Sequence, residues 1–137
     1  MTPRTSALVD ANVLLRFLTR VPATQAEAAA RLLARGQKGD LELMLHPTVV
    51  AEVVYVLEGV YAYTRERVAS ELTALLDAQC LHLIDENIVR DALQRRVTAG
   101  VDFVDAYLAT KGRQERRALA TFDRDFARLD VELLDVE

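Results

Sequence analysis

The length and composition of the chain are those of one folded globular domain. It has 137 residues, 51% hydrophobic and 28% charged, which excludes an intrinsically disordered protein. The net charge of −4 excludes a global positive field, so a polyanionic substrate must be held by local basic patches or bound cations. The single cysteine, Cys80, excludes an internal disulfide, and no apolar segment approaches the ~20 residues of a membrane span. We expect one cytoplasmic domain over residues 1–137, with no membrane segment.

The first part of the chain alternates a strand pattern with helical patterns. SALVDA (6–11) is a short apolar run bounded by polar residues, which predicts a buried strand. ANVLLRFLTR (11–20) places large apolar side chains on one face and predicts a helix. TQAEAAARLLARG (24–36) predicts an Ala-rich helix in which Thr24 is the N-cap and Gly36 is the stop.

The middle of the chain predicts a second strand and further helices. LELMLH (41–46) reads as a strand, and TVVAEVVYVLEGVY (48–61) predicts a helix that is apolar on nearly every side. TRERVASELTALLDAQ (64–79) predicts an amphipathic surface helix, and CLHLI (80–84) predicts a short extended segment. ENIVRDALQRRVTAG (86–100) predicts another helix, which ends at its glycine.

The last part of the chain completes an alternating pattern. VDFVDAYLAT (101–110) begins a helix, and the runs ALATF (118–122) and VELLD (131–135) predict two short strands separated by a single turn. Strands separated by helices indicate an α/β sandwich with a mainly parallel sheet. Because there is no internal repeat and no linker, one compact domain is expected.

Several acidic side chains are predicted to lie at one edge of this sheet. In open parallel sheets, functional sites form at the carboxyl ends of the strands. Asp10 ends the first strand, and Asp123 ends ALATF. Asp102 and Asp105 lie at a helix N-terminus, which faces the same edge if that helix leads into ALATF. Glu52 lies just over one turn into the helix that follows LELMLH, so all these carboxylates are expected to meet at one rim.

Glu52 is the only charged residue in VVAEVVYVL (49–57). Because a helix that is apolar all round is buried, we expect this carboxylate to lie in a desolvated position. An unpaired buried charge is costly, so the group must become neutral, pair with a cation or bind a metal ion. The ion-pair alternative would use Arg16 or Arg90.

Each of the other acids also has a purely structural interpretation. Asp10 and Asp123 stand where a helix or turn begins, and Asp is a preferred N-cap residue. Asp102 and Asp105 suit the first turn of a helix, where negative charge interacts favourably with the helix dipole. One shared cause is nevertheless favoured, because close carboxylates repel strongly in a poorly hydrated site and a divalent cation removes that penalty.

The remaining residue types narrow the choice of metal and chemistry. His46 and His82 are the only histidines, and neither has zinc-ligand spacing. Oxygen-only ligation suits Mg²⁺ or Mn²⁺, which are commonly held by a few carboxylates together with substrate phosphate. The chain has neither a glycine-rich phosphate loop nor a GxSxG nucleophile motif.

Four motifs, in this order along the chain, resemble those of a known family. They are VDANVLL after the early strand, AEVVYVL with its central Glu, DFVDAYLA, and the late ATFDRDF. Together they resemble a PIN domain over residues 6–135, and at this chain length the set is most similar to VapC-type toxins of toxin–antitoxin pairs. The resemblance implies a PIN-like three-layer α/β sandwich with a mainly parallel central sheet flanked by helices.

The resemblance also implies roles for individual residues. The family's catalytic, metal-binding acids fall on Asp10, Glu52, Asp105 and Asp123. Asn12 matches a polar position that orients the first acid or touches substrate, and Thr121 matches the supporting position before the fourth acid. Asp102 and Asp125 match extra acids of the family and are second choices as ligands. At the start of DFVDAYLA, Asp102 is expected to be the better helix cap and Asp105 the better ligand.

The activity that the resemblance implies is that of a metal-dependent endoribonuclease. Bound Mg²⁺ or Mn²⁺ lowers the pKa of a coordinated water and stabilises charge on the phosphate. Such chemistry needs no histidine or serine nucleophile, which agrees with the composition of the chain. The same resemblance implies an RNA substrate, a homodimer and a cognate antitoxin with a basic inhibitory segment.

Two other classes of function stay open. A non-catalytic PIN-like binding module would keep the fold and lose some of the acids, whereas all four positions are filled in this chain. A receiver-like phosphoacceptor signalling domain also places acids at strand ends and has a late Thr. That class needs an acidic pair at the end of the first strand and a lysine at the end of a late strand, and this chain has neither.

Overall fold

A computed structural model describes residues 4–136, which form two compact units. The first unit ends at Ile84, and the second begins at Asp85. The single domain expected over residues 1–137 stays a prediction, and its two end points lie outside the described residues.

The first unit combines a parallel sheet with helices. Its elements, in chain order, are β1 (Thr5–Leu8), α1 (Ala11–Thr19), α2 (Ala23–Lys38), β2 (Leu41–Leu45), α3 (Pro47–Gly59), α4 (Arg65–Asp77) and β3 (His82–Leu83). β2 lies between β1 and β3 and pairs with both of them in parallel. The register places Leu8 opposite Met44 and Leu45 opposite Leu83. Helices therefore connect parallel neighbours, as the alternating pattern predicted.

The second unit is built around a pair of packed helices. Its elements are α5 (Glu86–Ala99), α6 (Phe103–Glu115), β4 (Leu119–Ala120), a 3-10 helix (Arg124–Leu129) and β5 (Leu133–Leu134). α5 packs along α6, and α6 also contacts β4 and the 3-10 helix. β4 pairs with β5 in parallel. The mainly parallel pairing predicted from the sequence is therefore present in both units.

Aliphatic side chains form the core of each unit. In the first unit, the most deeply buried large side chains are Leu14, Leu43, Leu45, Val50, Val53, Leu57 and Val68. In the second unit, Val89 and Leu93 of α5 are buried together with Ala106 and Thr110 of α6. Among the described residues, none of the helices has the length and apolar character needed to cross a membrane.

The predicted burial of the first strand is wrong. All four residues of β1 are exposed, and Leu8 keeps 72% of its surface accessible. β1 is the edge strand of its sheet, so it has a hydrogen-bonded neighbour on one side only. Burial begins one residue later, at Val9 and Ala11, where the chain enters α1.

The ends of α2 also differ from the prediction. The helix begins at Ala23 after an N-cap at Pro22, so Thr24 is a residue of the first turn and not the cap. The helix continues through Gly36 and ends at Lys38, with Gly39 as its C-cap, whose φ of 87° is a left-handed conformation that glycine adopts without strain. Gly36 and Gly39 are both residues that can end a helix, and of the two only Gly39 has the left-handed backbone conformation.

Gly36 is explained by close packing inside α2. A Cβ atom at this position would collide with the backbone carbonyl oxygen of Cys80 and would lie 2.9 Å from Leu43 Cδ1. Gly36→Ala is therefore expected to lower the free energy of unfolding by about 1–3 kcal/mol, despite the better helix propensity of alanine. Gly59→Ala in α3 is the matched control, because a Cβ atom there meets nothing within 4 Å. Chemical denaturation compares the two variants, and a Gly36→Ala protein as stable as the wild type would contradict the packing role.

Candidate functional site

The start of α6 carries two of the predicted acids. Gly100 ends α5 in a left-handed conformation, with φ of 67°, and the chain then enters α6 through Asp102. Asp102 occupies the N-cap position, as expected, but its side chain makes no capping hydrogen bond. Asp105 lies in the first turn of α6 and is half-buried. The carboxylate of Asp102 is therefore not committed to the backbone.

Two local hydrogen bonds fix the segment that leads into the 3-10 helix. The backbone N–H of Asp123 donates to Thr121 Oγ1 at 2.9 Å. The backbone N–H of Asp125 donates to Asp123 Oδ1, also at 2.9 Å. Asp123 therefore does cap the turn, as the structural interpretation expected, but only through one of its two oxygens. Thr121 holds the backbone of Asp123, which is a supporting contact.

The acids of the second unit line one depression, called here the acidic depression. Its volume is about 210 Å³, and its carboxylates belong to Asp102, Asp105, Asp123 and Asp125. Buried apolar side chains complete the lining, at Val101, Phe126 and Leu129. The structure thus brings together four of the residues singled out from the sequence.

The electrostatics of the acidic depression are evident at Asp105. Burial raises the pKa of its carboxyl group, and the negative charges of Asp102 and Asp123 raise it further. Asp123 is remote in sequence from Asp105, so its influence reflects the folding of the 3-10 helix against α6. A half-buried carboxylate beside two like charges is the environment in which a bound cation brings the largest relief.

Arg128 is a lining residue that the sequence did not single out. It lies in the 3-10 helix, and its guanidinium donates to the carbonyl oxygen of Ala99, near the end of α5, at 3.4 Å. The side chain therefore places a positive charge at the acidic depression. A lone arginine in FARLD forms no recognisable motif, and only the contact between the 3-10 helix and the end of α5 identifies it.

Asp10, Asn12 and Glu52 belong to the first unit. Asp10 follows β1 as the N-cap of α1, and its exposed side chain makes no capping hydrogen bond. Asn12 is exposed in the first turn of α1. Glu52 lies in the second turn of α3, which begins just after β2. Because β1 and β2 are parallel neighbours, Asp10 and Glu52 both follow strand ends at the same edge of this sheet.

The predicted burial of Glu52 is wrong. Its side chain is exposed, and Tyr55, three residues later on the same face of α3, is 78% exposed. Of the two arginines in the ion-pair alternative, Arg16 donates from Nε to Gln25 Oε1 at 2.9 Å instead. A pair with Arg90, which belongs to the second unit, stays a prediction. An exposed acid on α3 adds little to the burial that stabilises this helix.

The sequence matches one protein-family model over most of its length. That model is described as the PIN domain, and it matches residues 7–132, a range that includes every acid discussed above. The chain belongs to the PIN domain family. The PIN assignment, together with the helices and the parallel strands, confirms the predicted three-layer α/β fold class. No curated protein matches the chain.

PIN domains are generally metal-dependent nucleases, so the donors of this PIN domain have to suit a divalent cation. The side-chain oxygens that line its acidic depression belong to carboxylates, which are ligands that Mg²⁺ and Mn²⁺ prefer. Within residues 4–136, no three His, Cys, Asp or Glu side chains lie close enough together to form a ligand group. Like charges favour separated carboxylates, and a divalent cation would offset that repulsion. The donor chemistry therefore fits the metal, and the convergence of Asp10, Glu52, Asp105 and Asp123 stays a prediction.

Proposed function

We propose that this PIN domain is a metal-dependent endoribonuclease that cleaves RNA phosphodiester bonds. The observation that carries the proposal is the acidic depression, where burial and neighbouring charges raise the pKa of Asp105. The family supplies the reaction class, because PIN nucleases generally use divalent metals and bind RNA. The catalytic unit in this proposal is one PIN-like domain that spans residues 1–137.

The proposed catalytic metal ligands are Asp10, Glu52, Asp105 and Asp123. Asp105 is the central one, because it is half-buried and feels the charges of two other carboxylates. Asp123 is oriented by the hydrogen bond from the Asp125 N–H, which leaves its second oxygen available for a cation. Thr121 holds the Asp123 backbone in place.

The remaining polar residues have supporting roles in this proposal. Asp102 and Asp125 add negative charge at the acidic depression, which increases its affinity for a cation. Asn12, in the turn after Asp10, orients that acid or touches the substrate.

The proposed cofactor is Mg²⁺ or Mn²⁺. When bound, such a cation lowers the pKa of water and stabilises the negative charge that develops on the phosphate. The two histidines do not suggest a different metal, since His46 precedes α3 and His82 lies on β3, and neither lines the acidic depression. The carboxylates repel a polyanionic substrate, so they favour a substrate that binds together with a cation.

We also propose that the nuclease is a VapC-type toxin that acts as a homodimer and is neutralised by a cognate antitoxin. The charge of the acidic depression supports a basic inhibitory segment, because a guanidinium can bind a carboxylate through two parallel hydrogen bonds. The half-buried Asp105 offers the strongest such contact, since burial weakens screening by solvent.

Inhibition by such an antitoxin predicts both co-purification with the chain and an affinity that depends on the acids of the acidic depression. The small protein encoded beside the gene should co-purify with the chain, and the double variant Asp102→Asn/Asp125→Asn should bind it at least ~10-fold more weakly. Titration calorimetry measures the affinity, with Glu132→Gln as a control at an exposed acid outside the acidic depression. Unchanged affinity in the double variant would rule out inhibition through these acids.

The activity itself is tested by cleavage of RNA with the purified chain in Mg²⁺, Mn²⁺ or chelator. Cleavage that needs either metal and stops in chelator is the expected result. Binding without cleavage in both metals would favour the non-catalytic module, and labelling by a small phosphodonor would favour the phosphoacceptor class. Cleavage that continues undiminished in chelator would contradict the metal-dependent mechanism.

A further inference from the structure

Phe122 is the most exposed large hydrophobic residue of the described chain. Its side chain keeps 84% of its surface accessible, more than Leu8, Tyr55 or Val60. An aromatic ring of this size stabilises a fold only when it is buried, so a ring left in solvent contributes nothing to this unit. A function in binding would account for its exposure.

The position of Phe122 is fixed relative to the acidic depression. It lies between Thr121 and Asp123, and its Cα atom is about 3.8 Å from that of Asp123. The hydrogen bond from the Asp123 N–H to Thr121 Oγ1 spans Phe122 and holds its backbone. The ring is therefore presented by an ordered turn directly beside one of the proposed metal ligands.

The segment that lines the acidic depression also lines a second concavity. This second concavity has a volume of about 310 Å³, and its lining is Thr121, Phe122, Arg124, Leu133, Leu134, Asp135 and Val136. Phe122 and Arg124 alternate along the chain with Asp123 and Asp125, so one short segment lines both concavities. The second concavity thus combines an aromatic ring, aliphatic side chains, the guanidinium of Arg124 and the carboxylate of Asp135.

Arg124 differs from Lys111 and Arg113, two other cations of the second unit. Lys111 pairs with Asp85 at 3.0 Å and with Glu115 at 2.7 Å, and Arg113 pairs with Asp91 at 3.6 Å. Arg124 is exposed, and within residues 4–136 it makes neither a hydrogen bond nor an ion pair. Its charge is therefore available to a ligand, and a guanidinium is well suited to phosphate oxygens.

We propose that Phe122 and Arg124 form a nucleotide-binding subsite, in which a base of single-stranded RNA stacks on the ring and a phosphate binds the guanidinium. The choice of RNA rests on the proposed nuclease function. A strand whose phosphodiester lies at Asp123 can place a neighbouring nucleotide at the adjacent Phe122. Because every base has a π-face, the subsite holds the strand without selecting its sequence.

A protein partner is the competing occupant of this surface. Leu134 and Val136 are also exposed there, at 57% and 45%, and a second copy of the chain could cover all three side chains. The observations favour RNA, because one short segment lines both this surface and the acidic depression, and because the surface contains Arg124. The two occupants differ in what they require, since RNA needs the ring and the charge whereas a protein contact needs apolar area.

The test uses a single-stranded RNA heptamer with a central 2-aminopurine, in chelator, so that binding is measured without cleavage. Phe122→Leu keeps an apolar side chain but removes the π-face, so affinity is expected to fall about tenfold and the quenching of 2-aminopurine to disappear. Phe122→Trp should retain both affinity and quenching. Arg124→Gln should weaken binding and reduce the slope of affinity against salt by about one. Leu134→Ala, in the same concavity, is the matched control and should bind RNA as the wild type does.

Two outcomes would overturn the subsite. One is RNA binding and quenching by Phe122→Leu that equal those of the wild type. The other is a change in molecular mass by light scattering for Phe122→Leu and Leu134→Ala alike, which would assign the surface to a contact between copies. Failure of the nuclease proposal has a different signature, because it leaves RNA intact in both metals whatever the binding result in chelator.

Discussion

Asp105→Asn is expected to lower metal-dependent RNA cleavage at least ~100-fold, because it removes the central charge that holds the cation. Burial and the charges of Asp102 and Asp123 already act on this carboxylate. Asp10→Asn, Glu52→Gln and Asp123→Asn are expected to have effects of the same size. Initial rates on a fluorescently labelled RNA at saturating Mn²⁺ compare the variants with the wild type.

Two further substitutions distinguish ligands from other acids. Asp102→Asn should reduce the rate less than Asp105→Asn, because Asp102 is exposed and is not one of the four proposed ligands. Glu132→Gln neutralises an exposed acid outside the acidic depression and should leave the rate unchanged. Equal losses in the Asp102 and Asp105 variants would contradict the division of roles. Full activity in all four ligand variants would rule out the nuclease assignment.

Asp105→Asn is expected to stabilise the protein in chelator, in contrast to its effect on activity. The raised pKa of Asp105 means that the folded protein binds this proton more tightly than the unfolded chain does. That contribution to stability is present below the ordinary pKa of an aspartate and is lost as the pH rises through the raised value. The advantage of Asp105→Asn should therefore be absent in acid and complete above the raised pKa. Thermal unfolding in chelator across this pH range measures the difference.

Saturating Mn²⁺ is expected to reverse the order of stability. A ligand present at ~100 times its dissociation constant adds roughly 2.7 kcal/mol to the free energy of unfolding. The wild type should gain this amount, and Asp105→Asn should gain less because it has lost a ligand. A wild-type melting temperature that does not respond to Mn²⁺ would contradict the metal site and the function based on it.

A variant that tests the charge of Asp123 has to keep the hydrogen bond by which this side chain caps the 3-10 helix. Asp123 Oδ1 accepts the hydrogen bond that begins the 3-10 helix, and Asn preserves an oxygen in this position. Asp123→Asn therefore reports on charge, whereas Asp123→Ala should cost about 1 kcal/mol of stability with or without Mn²⁺. The cap and the ligand role are compatible, because each uses a different oxygen.

Local sequence patterns were sufficient to predict the helix and the turn that carry the acids of the second unit. The Asp102 and Asp105 spacing correctly places both at the start of α6, and DRDF correctly predicts a turn that begins at Asp123. Caps and short-range hydrogen bonds depend on neighbouring residues, so a sequence contains most of the information that determines them.

Burial was less predictable because it depends on which neighbours the fold supplies. The run VVAEVVYVL is apolar on nearly every side, yet only one side of α3 reaches the core, through Val50, Val53, Val54 and Leu57. Glu52 was assigned to the interior from its apolar neighbours in sequence, and it is exposed. The same reasoning failed at β1, whose apolar composition gives no sign that it is an edge strand.

The most direct test of the central claim is a titration of Mn²⁺ into the wild type and into Asp105→Asn. The electron paramagnetic resonance signal of free Mn²⁺ reports the bound fraction without requiring RNA, antitoxin or turnover. We expect saturable binding by the wild type and at least ~10-fold weaker binding by Asp105→Asn, with Glu132→Gln unchanged. No binding by the wild type, or equal binding by the wild type and Asp105→Asn, would contradict a metal site at the acidic depression.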